Sequence, residues 1–486
     1  MVTGAGQAAE RSAELYRIAP GVELVDARSG PALLCWSPLR LVRVNEALAK
    51  LLRAGEDIVP RSPGAARALA ALQQRGVLER EPLPGSPAER LPSVTIVIPV
   101  KDRAEELRRC LASVQRLLYP ADRLEIVVVD DGSEDESPAV ARSFGARVIP
   151  SGGRGLGPAA ARNRGAAAAR GDILAFLDSD CVASESWLSE LVIRFDDPGL
   201  AALGGRVEGL HTSSGLDRYE AEMSSLCLGS QARTAQAGDD TFYLPSCNLL
   251  VRQRAFAEAG GFRDGLHVAE DVDLSWRLRD RGGAIAYAPR GSVLHEHRNR
   301  LVPFLRRRFE YGTSEGLLQV LHPRRRKRIV LPAALAAATL LAAAACLTAS
   351  WVPAAAGAAV LLFDSLRFWW KLRREVARMP PGRVLRARLK AWGSLLYYVS
   401  FHLVRYHTPA LLLLCIAWPR FAILACALAL WPAAVDYRSR RPALAFPRFL
   451  SYYLAEHVAY GAGVFWGCLR LGTFRCYRPV LLRGSS

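Results

Sequence analysis

Between residues 93 and 300 the chain alternates two kinds of apolar pattern. Short runs of β-branched and apolar residues, SVTIVIPV, LEIVVVDD, ARVIP and DILAFLDSD, have the length and composition of buried strands. Between them, RAEELRRCLASVQRLL and PAAARNRGAAAAR read as helices. This alternation builds βαβ units and predicts an α/β domain over 93–300 with a buried parallel sheet. In such sheets ligands collect at the carboxyl ends of the strands, which is where this sequence places its acidic residues.

The flanks carry different patterns. Residues 15–83 hold short apolar runs (GVELVDA, PALLCW, LVRVNEAL) followed by helical periodicity, and predict a small leading α+β unit. A Pro-rich stretch follows, read as a linker over 84–92. Residues 301–486 open with the basic clusters Arg306-Arg307-Arg308 and Arg324 through Arg328. The next 35 positions, 329–363, carry no charge. A bilayer-spanning helix needs roughly 20 such residues, so one long tilted span or a two-pass hairpin both fit. A second uncharged stretch, 406–435, is broken only by Arg420, and the run 449–469 contains Glu456 and His457.

Charge sharpens this division. The chain carries a net +18, yet from Leu301 onward there are 27 basic and 6 acidic residues, leaving 37 and 40 in the first 300. The basic excess therefore flanks the apolar runs. That pattern suits anchoring at the cell membrane, with the preceding residues on the cytoplasmic side. Nucleic acid is not an expected partner, since no basic patch with interleaved aromatics lies on a folded domain. Ten scattered cysteines without a paired spacing suit free thiols in a reducing compartment. The first 17 residues lack an apolar signal core.

The candidate chemistry lies at the strand ends. The first strand runs into Lys101-Asp102, and the second ends in Asp130-Asp131-Gly132-Ser133. Such acids suit a base N–H and ribose hydroxyls, although a turn glycine and helix cap alone would also explain the second motif. The fourth strand ends in Asp178-Ser179-Asp180. Alternate residues of a strand share a face, so both carboxylates can enter one site. Hard oxygen ligands of this kind suit Mg²⁺ or Mn²⁺ on a diphosphate. Downstream, AEDVDLSWRLRDRGG places Glu270-Asp271 at the start of a helix with Leu274 and Leu278 on its apolar face and Arg277, Arg279 and Arg281 on a polar one. GSVLHEHR then offers His295 and His297 on one face, a spacing compatible with metal or pyrophosphate contact.

In that order, VIPVKD, VVVDDGS, the AARNRG segment, FLDSD and AEDVDLSWRLR resemble the family 2 glycosyltransferases of the GT-A fold, over about 200 residues. The resemblance implies a nucleotide-diphosphate-sugar donor and inversion at the anomeric carbon. It assigns Asp102 and Asp131 to the nucleoside, Arg162, Asn163 and Asp178 to the donor side, and Asp178 and Asp180 to a divalent metal; the histidine spacing adds His297 as a further metal ligand. Asp271 becomes the catalytic base on the acceptor side. Processive members carry Gln-x-x-Arg-Trp before their membrane part, whereas this chain reads Leu305-Arg306-Arg307-Arg308-Phe309.

The leading unit, with PGVEL, Val44-Asn45 before a helix and a closing Gly76-Val77-Leu78, resembles the PqqD-like peptide-recognition fold, which captures a peptide as an added strand. The whole arrangement resembles the glycosyltransferases of the mycofactocin system. That resemblance implies glucose transfer from UDP-glucose to a peptide-derived acceptor, giving a short β-linked oligoglucoside. A lipid or polysaccharide acceptor, or a non-catalytic peptide-binding membrane adaptor, stays open on the residues alone.

Overall fold

The computed structural model describes residues 14–55, 58–60, 62–82, 91–153, 155–236, 238, 240–376 and 379–484. Most of the expected linker, 84–92, lies outside them.

The central sheet has eight strands, in the spatial order Arg233–Ala235, Ala284–Tyr287, Leu200–Gly204, Asn248–Arg252, Ile173–Leu177, Val94–Val100, Leu124–Asp130, Arg147–Pro150. The four strands expected from the apolar runs are mutually parallel, Val94–Val100 pairing with both Leu124–Asp130 and Ile173–Leu177. The remainder corrects the all-parallel expectation. Asn248–Arg252 runs antiparallel to Ile173–Leu177 and to Leu200–Gly204, so the sheet is mixed. Ile173–Leu177 is buried at every position. Cover on both faces explains why its sequence is continuously apolar rather than alternating. Beside this sheet, Val293–His295 pairs with Cys181–Ala183 and Val207–Gly209. This small second sheet brings the histidine segment back to the end of the strand carrying Asp178 and Asp180.

In the leading unit, Val22–Ala27, Gly30–Trp36 and Leu39–Arg43 form an antiparallel meander. Glu14–Ile18 pairs with Leu78–Pro82 and closes the unit. Asn45 caps the helix Glu46–Arg53, its side chain accepting from Leu48 N at 2.8 Å. Strand residues alternate in direction, and here both faces are covered. Leu33 and Cys35 join a core with Tyr16, Leu52 and Leu69. Ala32 and Leu34 pack instead on Leu372, Val376 and Val384 from the C-terminal helices.

The uncharged stretches fold as helical hairpins. Residues 329–363 are not one span: helix Ala333–Thr348 ends at Ala349 and Trp351–Glu375 begins two residues later. The second stretch likewise divides into Pro381–Ala417 and Phe421–Arg440, with Arg420 in the turn. Trp351–Glu375, Pro381–Ala417 and Phe421–Arg440 are long and apolar enough to cross a membrane. Their outward surface is apolar, with Trp351, Phe363, Ile416 and Trp418 between 68% and 79% exposed, as lipid-facing side chains would be. The run 449–469 folds differently. Helix Phe446–Leu471 buries Glu456 and His457 and packs on Leu301–Leu321. Gly312 and Gly316 on one helix meet Gly463 and Gly467 on the other, and a Cβ on Gly463 would lie 2.0 Å from Phe309 O. Backbones approach this closely only where side chains are absent.

Candidate functional site

The acidic residues converge at the carboxyl ends of the parallel strands. Asp102 follows the first strand with a left-handed backbone, φ 51°. Its amide donates to Ser133 Oγ at 3.0 Å, and its Oδ1 accepts from Glu134 N at 2.7 Å, so the first two strand ends are tied together. Asp131 is buried. Oδ1 accepts from Ser151 Oγ at 2.7 Å and Leu156 N at 3.0 Å, and Oδ2 from Gly157 N at 2.9 Å. In this structure, then, the Asp131 carboxylate shapes the loop leading into the helix Pro158–Ala168. Asn163 is likewise engaged within the fold. Its side chain exchanges two hydrogen bonds with the Phe262 backbone, at 2.7 and 2.8 Å.

Arg162, on the same helix, is buried and central. Nη2 donates to Asp178 Oδ1 at 2.6 Å and Nη1 to Glu270 Oε1 at 2.9 Å. Burial works against the charged guanidinium, but Asp178 and Glu270 more than offset it and raise its pKa. The sequence reading brought together Arg162 and Asp178; it did not foresee that one side chain joins the strand end to the acidic helix.

Asp180 carries the second pair. Arg103 binds its Oδ2, and His295 Nε2 lies 3.5 Å from Oδ1. Burial would raise this carboxyl, yet His295 and Arg103 hold it below its ordinary value. Asp180 Oδ1 is nonetheless buried without a hydrogen-bond partner among the described residues. Asp180, Cys181 and His295 offer ligand atoms within 4.8 Å of one another. Cys181 is a poor member of that set, because burial pushes its thiol well up and its proton faces the Cys247 carbonyl at 3.9 Å. An orphaned carboxylate oxygen beside an imidazole fits a hard divalent cation. His295 rather than His297 is the histidine against Asp180. His297 stands behind it, Nδ1 to Nδ1 at 3.2 Å, and burial followed by His295 and Arg308 pushes it down to about 3. Arg103 was missed, although its place directly after the strand-end Lys101-Asp102 was a usable signal.

Helix Glu270–Asp280 begins after Ala269, which adopts φ 62°. Leu274 and Leu278 are buried as expected, and Arg281 is exposed, but Arg277 and Arg279 leave the expected polar face. Arg279 is buried and bound to Asp240, and Arg277 reaches Gly261 O at 2.6 Å and Asp273. Asp271 accepts from Val272 N at 2.8 Å and Ser246 N at 3.3 Å. Burial, reinforced by the charge of Glu270, lifts its carboxyl to about 7. A carboxylate poised there suits proton transfer near neutrality.

A mixed sheet of this order, with acids at its parallel strand ends and an acidic helix closing the site, is the GT-A architecture. The glycosyl transferase family 2 model matches residues 95–260. Glycosyltransferase AglE of Haloferax volcanii is 32% identical over 239 residues, 47% of this chain and 74% of that one. The chain belongs to glycosyl transferase family 2. It is also 34% identical over 305 residues to the pre-mycofactocin glycosyltransferase of Mycobacterium tuberculosis, covering 60% of this chain and 61% of the length of that relative. Among solved structures, the mannosyltransferase PcManGT from Pyrobaculum calidifontis aligns at 18% identity with a TM-score of 0.43, over 79% of this chain and 91% of that one.

Proposed function

We propose that the protein is a membrane-attached inverting glycosyltransferase that moves glucose from UDP-glucose to a peptide-derived acceptor, of the kind that the pre-mycofactocin relative is named for. The observation that carries this reading is the network Asp178–Arg162–Glu270 with Asp271 adjoining it. Arg162 joins Asp178 to the helix that carries Asp271, which supports reading the one as a donor-side acid and the other as the base. Asp102 and Asp131 would border the nucleoside. Asp178 and Asp180, with His295 beside them, would hold Mg²⁺ or Mn²⁺, which when bound neutralises charge on the leaving diphosphate. Asp271 takes the proton of the acceptor hydroxyl as that oxygen bonds to the anomeric carbon. The bond to the diphosphate breaks on the opposite face, and the nucleoside diphosphate leaves with the electron pair.

The leading unit would recognise the peptide-derived acceptor as a PqqD-like module. Its support is the small meander-and-helix build and its seat on Leu372, Val376 and Val384, close to the membrane-facing helices. The basic clusters before the first hairpin support a cytoplasmic catalytic domain. The test is incubation of detergent-purified protein with a panel of nucleotide sugars and a mycofactocin precursor, read by mass spectrometry. A mass gain of one hexose or more on the precursor is expected. A gain only on lipid, or donor binding without transfer, would displace this reading.

A further inference from the structure

Cys468 lies in the last turn of helix Phe446–Leu471 and is fully buried. The helix ends at Gly472, φ 63°, where the chain turns back and Thr473 N donates to Cys468 O at 3.1 Å. The short turn Arg475–Tyr477 then brings Cys476 onto Cys468 as a second free thiol, Sγ to Sγ at 3.2 Å. We infer that this pair is a redox modification site. Oxidised together, Cys468 and Cys476 form a disulfide clasp that fixes the turn Arg475–Tyr477 to the end of the helix and stiffens one wall of the cavity that Asp271 also lines.

Three observations carry the inference. First, both thiols sit in one buried cluster with Tyr406 and Val464, so neither can swing to another partner without opening that core. Sulfurs already in contact, on a helix end and the turn that follows it, need little movement to bond. Second, an oxidant has a way in. Cys476 lines a cavity of about 460 Å³, together with Arg475, Arg478 and Asp271. Third, the pair differs from the buried cysteines of the catalytic domain. Burial pushes Cys110 and Cys181 up, which leaves them inert. The hydrogen bond with Cys476 instead lowers the Cys468 thiol and favours the thiolate that oxidants attack.

A peroxide balances the step. Two S–H bonds break and one S–S bond forms as the thiols give up two electrons and two protons. The O–O bond of hydrogen peroxide breaks and takes them up as two waters, and a small thiol reverses the change by exchange. The consequence is mechanical. In the reduced state the turn is tied by His402 Nε2, 3.1 Å from Tyr477 O, and by Arg326, whose Nη2 donates to Arg478 O. Just beyond it, Val480–Arg483 pairs with Arg328–Leu331, the strand that leads into the first hairpin. Closing the 468–476 loop with a covalent bond removes conformations from this junction, so Arg475 and Arg478 lose freedom in the cavity wall.

Detergent-solubilised full-length protein provides the test. It is reduced, titrated with hydrogen peroxide and mapped by mass spectrometry, with Cys227, which lines the same cavity, as the reference thiol. The peptides carrying Cys468 and Cys476 should become joined, with loss of two hydrogen atoms, before Cys227 is modified. Dithiothreitol should separate them again. Amide hydrogen exchange over 473–478 should slow at least roughly tenfold in the oxidised form. Cys476→Ser and, separately, Cys468→Ala should abolish both changes. Two thiols that persist through oxidation of Cys227 would overturn the site, as would sulfinic acid on either one without the bond. A bond that leaves exchange over 473–478 unchanged would overturn the clasp.

Discussion

Arg162 donates from Nη2 to Asp178 Oδ1 across 2.6 Å, and its other terminal nitrogen holds Glu270. One buried guanidinium thus couples a strand end to the helix that begins with the candidate base. Arg162→Ala would leave two acids facing each other without a counter-charge, at a cost of about 3–5 kcal/mol. Arg162→Lys keeps the charge but loses the fork, and should fall between the two. Thermal unfolding of the solubilised variants checks the order; equal melting of all three would show that the network contributes nothing.

Asp271 and Asp180 should separate by function. Asp271→Asn is expected to lower transfer by at least about 10²-fold with nucleotide-sugar affinity little changed. Asp180→Asn should weaken metal-dependent donor binding as well as transfer. Initial rates beside calorimetric donor titration decide it. If Asp271→Asn abolishes donor binding, the helix belongs to the nucleotide pocket.

The raised carboxyl of Asp271, about 7 against an ordinary 3.8, sets a pH dependence with a definite sign. A base works only when deprotonated, so transfer should climb as pH rises through about 7 and level off above it. The same shift opposes stability. Ionising this half-buried, desolvated acid costs the folded state, and the stability present below pH 3.8 should be lost between 3.8 and 7. A transfer-rate profile flat from pH 5 to 9 would remove Asp271 from the role of base.

Metal dependence has a readout besides turnover. A chelator should abolish both transfer and tight UDP-glucose binding, and Mn²⁺ or Mg²⁺ should restore both. Restoration by Zn²⁺ alone would point instead to the Cys181–His295 side of the cluster.

Gly463 carries the packing of helix Phe446–Leu471 on Leu301–Leu321. Since a Cβ there would stand 2.0 Å from Phe309 O, Gly463→Ala must push the helices apart. A loss of about 1–3 kcal/mol or more is expected. Melting unchanged from the parent would mean that the contact is slack.

Much of this protein was determined by sequence alone. Strand-length apolar runs ending in Asp102, Asp131 and Asp178 announced a sheet with acids at its carboxyl ends, because local pattern and strand polarity are one-dimensional properties. The uncharged stretches announced helices for the same reason. Other features were decided only by tertiary structure. Asn248–Arg252 entered the sheet antiparallel, since strand direction is set by packing and connections. Arg277 and Arg279 left the expected polar face for buried hydrogen bonds, because a folded neighbour can replace water. Leu305-Arg306-Arg307-Arg308-Phe309 read as a basic cluster, but Arg308 lies buried against Glu220 and Glu456, 88 residues before it and 148 after. Partners that far apart meet through the fold, and a local pattern of charge carries no record of the meeting.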